Sequence, residues 1–284
     1  MERSDVMDAG IIDKQAARRA DLALARIQAT YRFKQGRFAD LQTANRFTEL
    51  VQLRKLHDRD PRMVERSSKL ASKRIVASAL GSEWVIPTVW TGARLPRENP
   101  FNAPTILKSS HGCNQYTVMR DQPSMFRWQL LRKQAARWMR GPYGYWLDEW
   151  CYRDVPLGLL AEDLVGDAGK LPVDYKIYVF DGRATHVQVH LGRADSHKWI
   201  LHDRDFNKLV PDQAESPPKP ESLGAMLEAA EELARGFSFI RIDFYEVDRK
   251  PLFGEFCFYP GSGLDPFAED WIDFELGRLW KAAL

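Results

Sequence analysis

Cysteine is scarce in this chain of 284 residues: Cys113, Cys151 and Cys257 are odd in number, widely spaced and include no CxxC pair. That excludes a disulfide framework and gives no zinc signature, so reduced thiols are expected. Long apolar runs are missing too. Charge interrupts every hydrophobic stretch within about ten residues, against the ~20 that a membrane-spanning helix needs. The opening segment MERSDVMDAGIIDKQAARR has acids where a secretory signal has bases, and no continuous apolar stretch. The expected location is therefore cytoplasmic. There is no GxxxxGK[ST] loop, no aromatic–basic RNA signature and no basic zipper, so nucleic acid is not the expected partner.

What is present is a folding composition: 44% hydrophobic residues with nine Trp, enough for one large domain or two small ones. The net charge of +2 conceals an asymmetry, because residues 1–80 carry 17 Lys and Arg against 10 Asp and Glu. Such a basic region either attracts an anionic polymer or is a solvated helical surface.

The pattern divides near residue 80. Apolar spacing predicts helices over 16–33, 45–56 and 63–80, the second and third separated by Asp60-Pro61 and the last stopping at Gly81. From there short β-rich runs follow: WVIPTVW, TILKSS, YTVM, LGLLAEDLV, DYKIYVF and THVQVHL, with a helix expected over 123–140. A polar, proline-rich connection (211–222) leads to an amphipathic helix marked by Leu223, Met226, Leu227, Ala230 and Leu233, with Ser222 as N-cap. The expected organisation is a helical region 1–80 and an α/β domain 81–284, subdivided at 160/161.

Asp181-Gly182 is a strong hairpin signal. Pairing across it places Lys176 on one face with Tyr178, Phe180, Val187 and Arg193, where a lysine either snorkels or meets an anion. His186 and His190 lie about 13 Å apart on one strand, too far to share an ion.

The runs FIRIDFY and LFGEFCFYP (239–245 and 252–260) pose the central problem, since they embed charge in apolar strands. Alternation puts Ile240, Ile242 and Phe244 on one face and Arg241 and Asp243 on the other. A hairpin turning near Arg249 sets Asp243 opposite Glu255 at roughly 5 Å. Two carboxylates that close stay ionised only beside a cation. Mg²⁺ and an ion-pair cluster with Arg241 both meet that need.

Arg241-x-Asp243, eleven residues, Glu255, then Pro260-Gly261 resembles the metal-binding end of the ATP-grasp superfamily. With RKLHDRDP, GSEWVIPTVW, ILKSSHG, LLAEDL, DYKIYVFDG, RIDFY and FGEFCFYPGSG in order, the chain resembles the TupA-like ATP-grasp family over roughly residues 45–280. That family is associated with teichuronopeptide and other cell-surface polysaccharide synthesis. The resemblance implies an α/β (α+β) ATP-grasp fold, with nucleotide bound between two mixed subdomains. It implies ATP and Mg²⁺ as cofactors, with Mg²⁺ on Asp243 and Glu255. Lys108, His111 and Gly112 would cover phosphate, Glu162, Asp163 and Leu164 would meet the adenine edge, and Lys176, Arg193 and Arg241 would supply positive charge. The implied reaction is ADP-forming ligation of a carboxylate to an amine through an acyl phosphate. Its substrates would be an amino acid, peptide or uronic-acid-bearing glycan. A phosphotransferase and a non-catalytic nucleotide- or polyanion-binding module are the alternatives. Two departures stand out: Cys257 occupies a position where ATP-grasp ligases commonly have a metal-binding Asn, and the covering loop HGCNQ has one glycine.

Overall fold

Helices form where the apolar spacing predicts them, and the β-rich remainder builds two antiparallel sheets. The computed structural model describes residues 3–101, 104–166, 171–191, 198–211 and 215–284. The elements are α1 (Arg3–Gln35), α2 (Phe47–His57), α3 (Pro61–Ser67), α4 (Lys69–Leu80), β1 (Thr88–Gly92), β2 (Thr105–Ser109), β3 (Tyr116–Met119), α5 (Met125–Trp138), β4 (Leu159–Asp163), β5 (Asp174–Phe180), β6 (Arg183–Leu191), β7 (Lys198–Asp203), α6 (Leu223–Leu233), β8 (Phe239–Val247), β9 (Lys250–Cys257) and α7 (Asp270–Ala282). β7 and α7 are additions to the sequence expectation. The helix expected over 63–80 is broken at Ser68, which is extended (φ −80, ψ 117) and accepts a hydrogen bond from the Ala71 amide at its hydroxyl. Asp60 caps α3 in the same way, with Pro61 in the first turn, where its missing N–H costs nothing.

The chain forms two compact units. One comprises residues 3–59, Tyr145–Trp150 and Tyr259–Ala282; the other comprises Asp60–Gly144 and Cys151–Phe258, with residues 283–284. The expected boundaries at 80/81 and 160/161 do not coincide with this division: α3 and α4 belong with the sheets, and position 160 lies inside β4.

In the first unit α2 packs on α7, with the Phe47 ring 5.4 Å from Trp280. Asp273 of α7 accepts the Thr48 amide (2.9 Å) and hydroxyl (2.7 Å), so the start of α2 is capped by another helix. Gly277 permits this approach, since a Cβ there would lie 2.3 Å from the Asn45 carbonyl. Part of the basic excess of the N-terminal third is paired: Arg26 with Asp148 (2.6 Å), Arg46 with Asp270 and Arg54 with Asp58 (3.2 Å). Lys55 is buried and donates to the Gln52 side chain (3.0 Å) and to the Ser262 carbonyl and hydroxyl (2.7 and 2.8 Å).

The second unit holds both sheets, a four-stranded one in the order β1-β4-β2-β3 and a five-stranded one in the order β7-β6-β5-β8-β9. Leu107, Met119, Leu159 and Ala161 of the smaller sheet pack with Trp128, Leu131 and Ala135 of α5. In the larger sheet β5 is central and every residue of it is buried. Tight turns at Asp181-Gly182 (φ 46 and 72) and Asp248-Arg249 (φ 51 and 62) join β5 to β6 and β8 to β9. One expected register is corrected: a bulge beside Tyr178 shifts β6, so Val187 pairs with Ile177 and Lys176 faces Gln188. Arg193 lies outside the described residues.

Candidate active site

β8 and β9 place Asp243 directly across from Glu255, the pairing expected from the alternation. A bulge follows at Gly254, whose absent side chain lets the strand approach the Asp243 carbonyl; a Cβ would sit 3.0 Å from that oxygen. The extra residue reverses the alternation, so Phe253 turns into the core against Phe244 while Glu255 keeps the Asp243 face.

Asp243 is buried, and both its oxygens are held by cations. Arg241 Nε and Nη2 donate to Oδ1 and Oδ2 at 2.7 and 2.8 Å, and Lys176 Nζ donates to Oδ2. Lys176 reaches it because β5 lies beside β8 with Lys176 opposite Asp243; its ammonium also pairs with buried Asp174 at 2.6 Å. Burial alone would raise the Asp243 pKa, but Arg241 and then Lys176 outweigh it and bring it down to about 2. Glu255 is more open, its side chain 37% exposed and 4.0 Å from Arg241. Burial pushes the Cys257 thiol up, leaving a neutral soft donor at this position.

The four-stranded sheet carries the converse arrangement. The Glu162 carboxylate lies between Lys108 Nζ and Lys73 Nζ, each at 2.5 Å. Burial would raise the Glu162 pKa, yet the two lysines lower it. For Lys73 burial prevails and the pKa falls. For Lys108 burial works the other way from its neighbours, above all the Glu162 carboxylate, which outweigh it and raise the pKa.

The loop after β2 is tethered at several points. Lys69 donates its amide to the Ser110 carbonyl (2.9 Å) and its ammonium to the Gly112 carbonyl (2.5 Å). His111 is fully buried; its Nε2 lies 3.0 Å from the Trp138 carbonyl and its Nδ1 accepts the Gly158 amide at 3.3 Å. Burial lowers its pKa despite those bonds. With both ring nitrogens on backbone, His111 anchors the loop rather than offering a nitrogen to phosphate. The Gln115 side chain packs over Gly112, its Oε1 2.6 Å from where a Cβ would sit. Of the expected adenine-edge segment, Glu162 turns its carboxylate to the lysines, and the Leu164 amide donates to the Pro104 carbonyl at 3.1 Å. Asp163 ends β4, paired with Thr105.

Among the described residues no three His, Cys, Asp or Glu side chains converge as a metal centre. Mg²⁺ asks less of a protein, commonly one or two carboxylates with water and phosphate completing the shell. Glu255 and its cross-strand neighbour Asp243 fit that requirement, provided that Asp243 exchanges a cationic partner for the ion. Lys73, Lys69 and Asp174 are the residues that the sequence reading missed. Lys69 and Lys73 sit four apart on α4, on one helix face, and Asp174 is two residues from Lys176 on one strand face; those spacings were the available signals.

No curated protein matches the sequence. Among solved structures, the chain is similar to the ATP-grasp ligase PsnB complexed with minimal precursor (11% identity, TM-score 0.45), covering 78% of this chain and 62% of that one. It is similar to the D-alanine–D-alanine ligase of Helicobacter pylori (14% identity, TM-score 0.46), covering 84% of this chain and 67% of that one. It is also similar to an L-amino acid ligase of Bacillus licheniformis (13% identity, TM-score 0.45), covering 77% of this chain and 48% of that one. The model of the TupA-like ATP-grasp family matches residues 49–281, and over that span, both sheets included, the chain belongs to the TupA-like ATP-grasp family.

Proposed function

We propose that the chain is an ADP-forming carboxylate–amine ligase. The observation that supports this reading is the opposite residual charge of the two clusters. Lys73 and Lys108 share one carboxylate, leaving an excess positive charge, while Asp174, Asp243 and Glu255 outnumber Lys176 and Arg241. The first arrangement suits phosphate and the second suits a divalent cation. In the proposed reaction a substrate carboxylate oxygen attacks the γ-phosphorus of ATP and ADP departs. An amine then attacks the acyl phosphate and displaces phosphate, forming an amide.

The chain's own groups act by position and charge. Lys73 and Lys108 hold phosphate oxygens, with Glu162 keeping both ammonium groups aimed before nucleotide arrives. Arg241 and Lys176, already fixed by Asp243, meet negative charge that develops at the transferring phosphoryl group. Gly112 and the tethered loop 110–115 cover the phosphates, and the end of β4 at Glu162–Leu164 borders the base. Mg²⁺ on Glu255 and Asp243 would neutralise phosphate charge when bound. Holding the reactants together supplies the remaining acceleration, with no protein nucleophile required. The acceptor would be an amino acid, peptide or uronic-acid-bearing glycan, in keeping with the polysaccharide association of the family.

The test is incubation of purified protein with ATP, Mg²⁺ and a panel of carboxylates and amines, following ADP and product mass. ADP formation that requires both substrates, with an amide product, is the expected result. A phosphorylated product formed without amine would make the protein a phosphotransferase, and no ADP with any pair would leave a binding module.

A further inference from the structure

The helix α5 carries a surface that the proposed ligation does not use. Ser124 caps its start, and the Trp128 indole donates to the Pro96 carbonyl at 3.2 Å. Trp128, Leu131 and Ala135 fix one face on the four-stranded sheet. At 100° per residue the opposite face is centred on Phe126, Leu130, Lys133 and Arg137. Met125, Phe126 and Leu130 are 80%, 71% and 48% exposed, although the helix already has a buried side for its apolar residues.

The charge of this segment is one-sided. No acidic residue occurs between Asp121 and Asp148, whereas Arg127, Arg132, Lys133, Arg137 and Arg140 do. Among the described residues, no ion pair engages Arg127, Lys133, Arg137 or Arg140. Arg26, Arg46 and Arg54 of the N-terminal third, by contrast, are in ion pairs.

We propose that the outer face of α5 docks on an anionic lipid bilayer, with Met125, Phe126 and Leu130 entering the headgroup–acyl boundary and Lys133, Arg137 and their basic neighbours lying on the anionic headgroups. A soluble polyanion would satisfy the cations but leave three large apolar side chains in water. A bilayer surface accounts for both features at once, as for in-plane amphipathic helices generally. The helix is prefolded on its sheet, so docking needs no ordering of the segment.

Co-sedimentation of the full chain with phosphatidylglycerol–phosphatidylcholine vesicles, against pure phosphatidylcholine, tests the proposal. Binding is expected only to the anionic vesicles and is expected to weaken with salt. Lys133→Ala with Arg137→Ala should lower partitioning about 30-fold, from the usual contribution of each cation near an anionic leaflet. Phe126→Ser with Leu130→Ser should lower it at least about tenfold, with melting temperatures unchanged because all four side chains face solvent. Absence of binding to anionic vesicles, or binding that neither pair alters, overturns the proposal. Vesicle binding lost only in the cation pair, and matched by equal binding to heparin, also overturns it and leaves an electrostatic polyanion surface. ADP formation in the same variants, measured without vesicles, should equal that of the unaltered chain.

Discussion

The two sheets of the second unit each bury an ionic cluster, and the clusters are mirror images in charge. On the four-stranded sheet one carboxylate, Glu162, serves two lysines; on the five-stranded sheet three carboxylates serve Lys176 and Arg241. Buried charges persist only when compensated, and within each cluster the buried groups hold one another. On the proposed reading the spare positive charge of the first would meet phosphate, and the more open Glu255 of the second would meet a divalent cation. The comparison also separates Asp243, a buried hub, from Glu255, a more open carboxylate.

The sharpest way to break that separation is to neutralise the two acids in turn. Asp243→Asn strands Arg241 and Lys176, and apo stability should fall by about 3–5 kcal/mol, with turnover lost. Glu255→Gln should remove turnover while apo stability stays within about 0.5 kcal/mol, because its side chain is partly solvated. Equal melting of the two variants would erase the distinction. Removing one of two facing carboxylates relieves repulsion, but at Asp243 no such gain is expected, since Arg241 and Lys176 already satisfy it.

Substitution on the other sheet probes the anion demand. Lys73→Ala and Lys108→Ala should each weaken ATP binding about tenfold or more by calorimetry. The double variant should depart from additivity, since both lysines lean on Glu162. Unchanged affinity in both single variants would make the triad purely structural.

Acid titration distinguishes the clusters from Lys55 and Glu149 of the first unit, both of them buried. The Asp243 pKa is depressed, so its contribution to stability is complete above the ordinary carboxylate range and is lost as pH falls from about 4 toward about 2. In the first unit burial raises Glu149 to about 7 and lowers Lys55 to about 8. The folded state therefore holds the extra proton of Glu149 between about 4.5 and 7, and the unfolded state holds that of Lys55 between about 8 and 10.5. Stability should decline over the first interval and recover over the second, and Glu149→Gln should flatten the decline in chemical-denaturation curves taken across pH. The smallest effect expected is that of Cys257→Asn. An oxygen donor in place of a neutral thiol should lower the Mg²⁺ concentration for half-maximal activity a few-fold, and an unchanged requirement would place residue 257 away from the ion.

Much of the local architecture was legible. Period-two alternation found β2, β5, β6, β8 and β9, and the turn residues located both tight hairpins, because strand faces and turn geometry follow from neighbouring residues. The bulges at Thr185 and Gly254 were not legible, as an unpaired residue shows only once a partner strand is in place. The partners of the N-terminal basic residues were not legible for a related reason. Formal charge counts residues, whereas Arg26, Arg46 and Lys55 meet partners as far away in sequence as Asp148, Asp270 and Ser262.

By itself the sequence determined that Arg241, Asp243 and Glu255 share one face of a hairpin, since alternation and turn position are short-range properties. Only the tertiary structure decided what compensates them. The sheet order sets β5 beside β8 and so brings Lys176 and Asp174 to Asp243, while the packing of α4 brings Lys73 to Glu162. A buried charge is stabilised by whatever lies within a few ångströms of it, and that neighbourhood is assembled from segments distant along the chain.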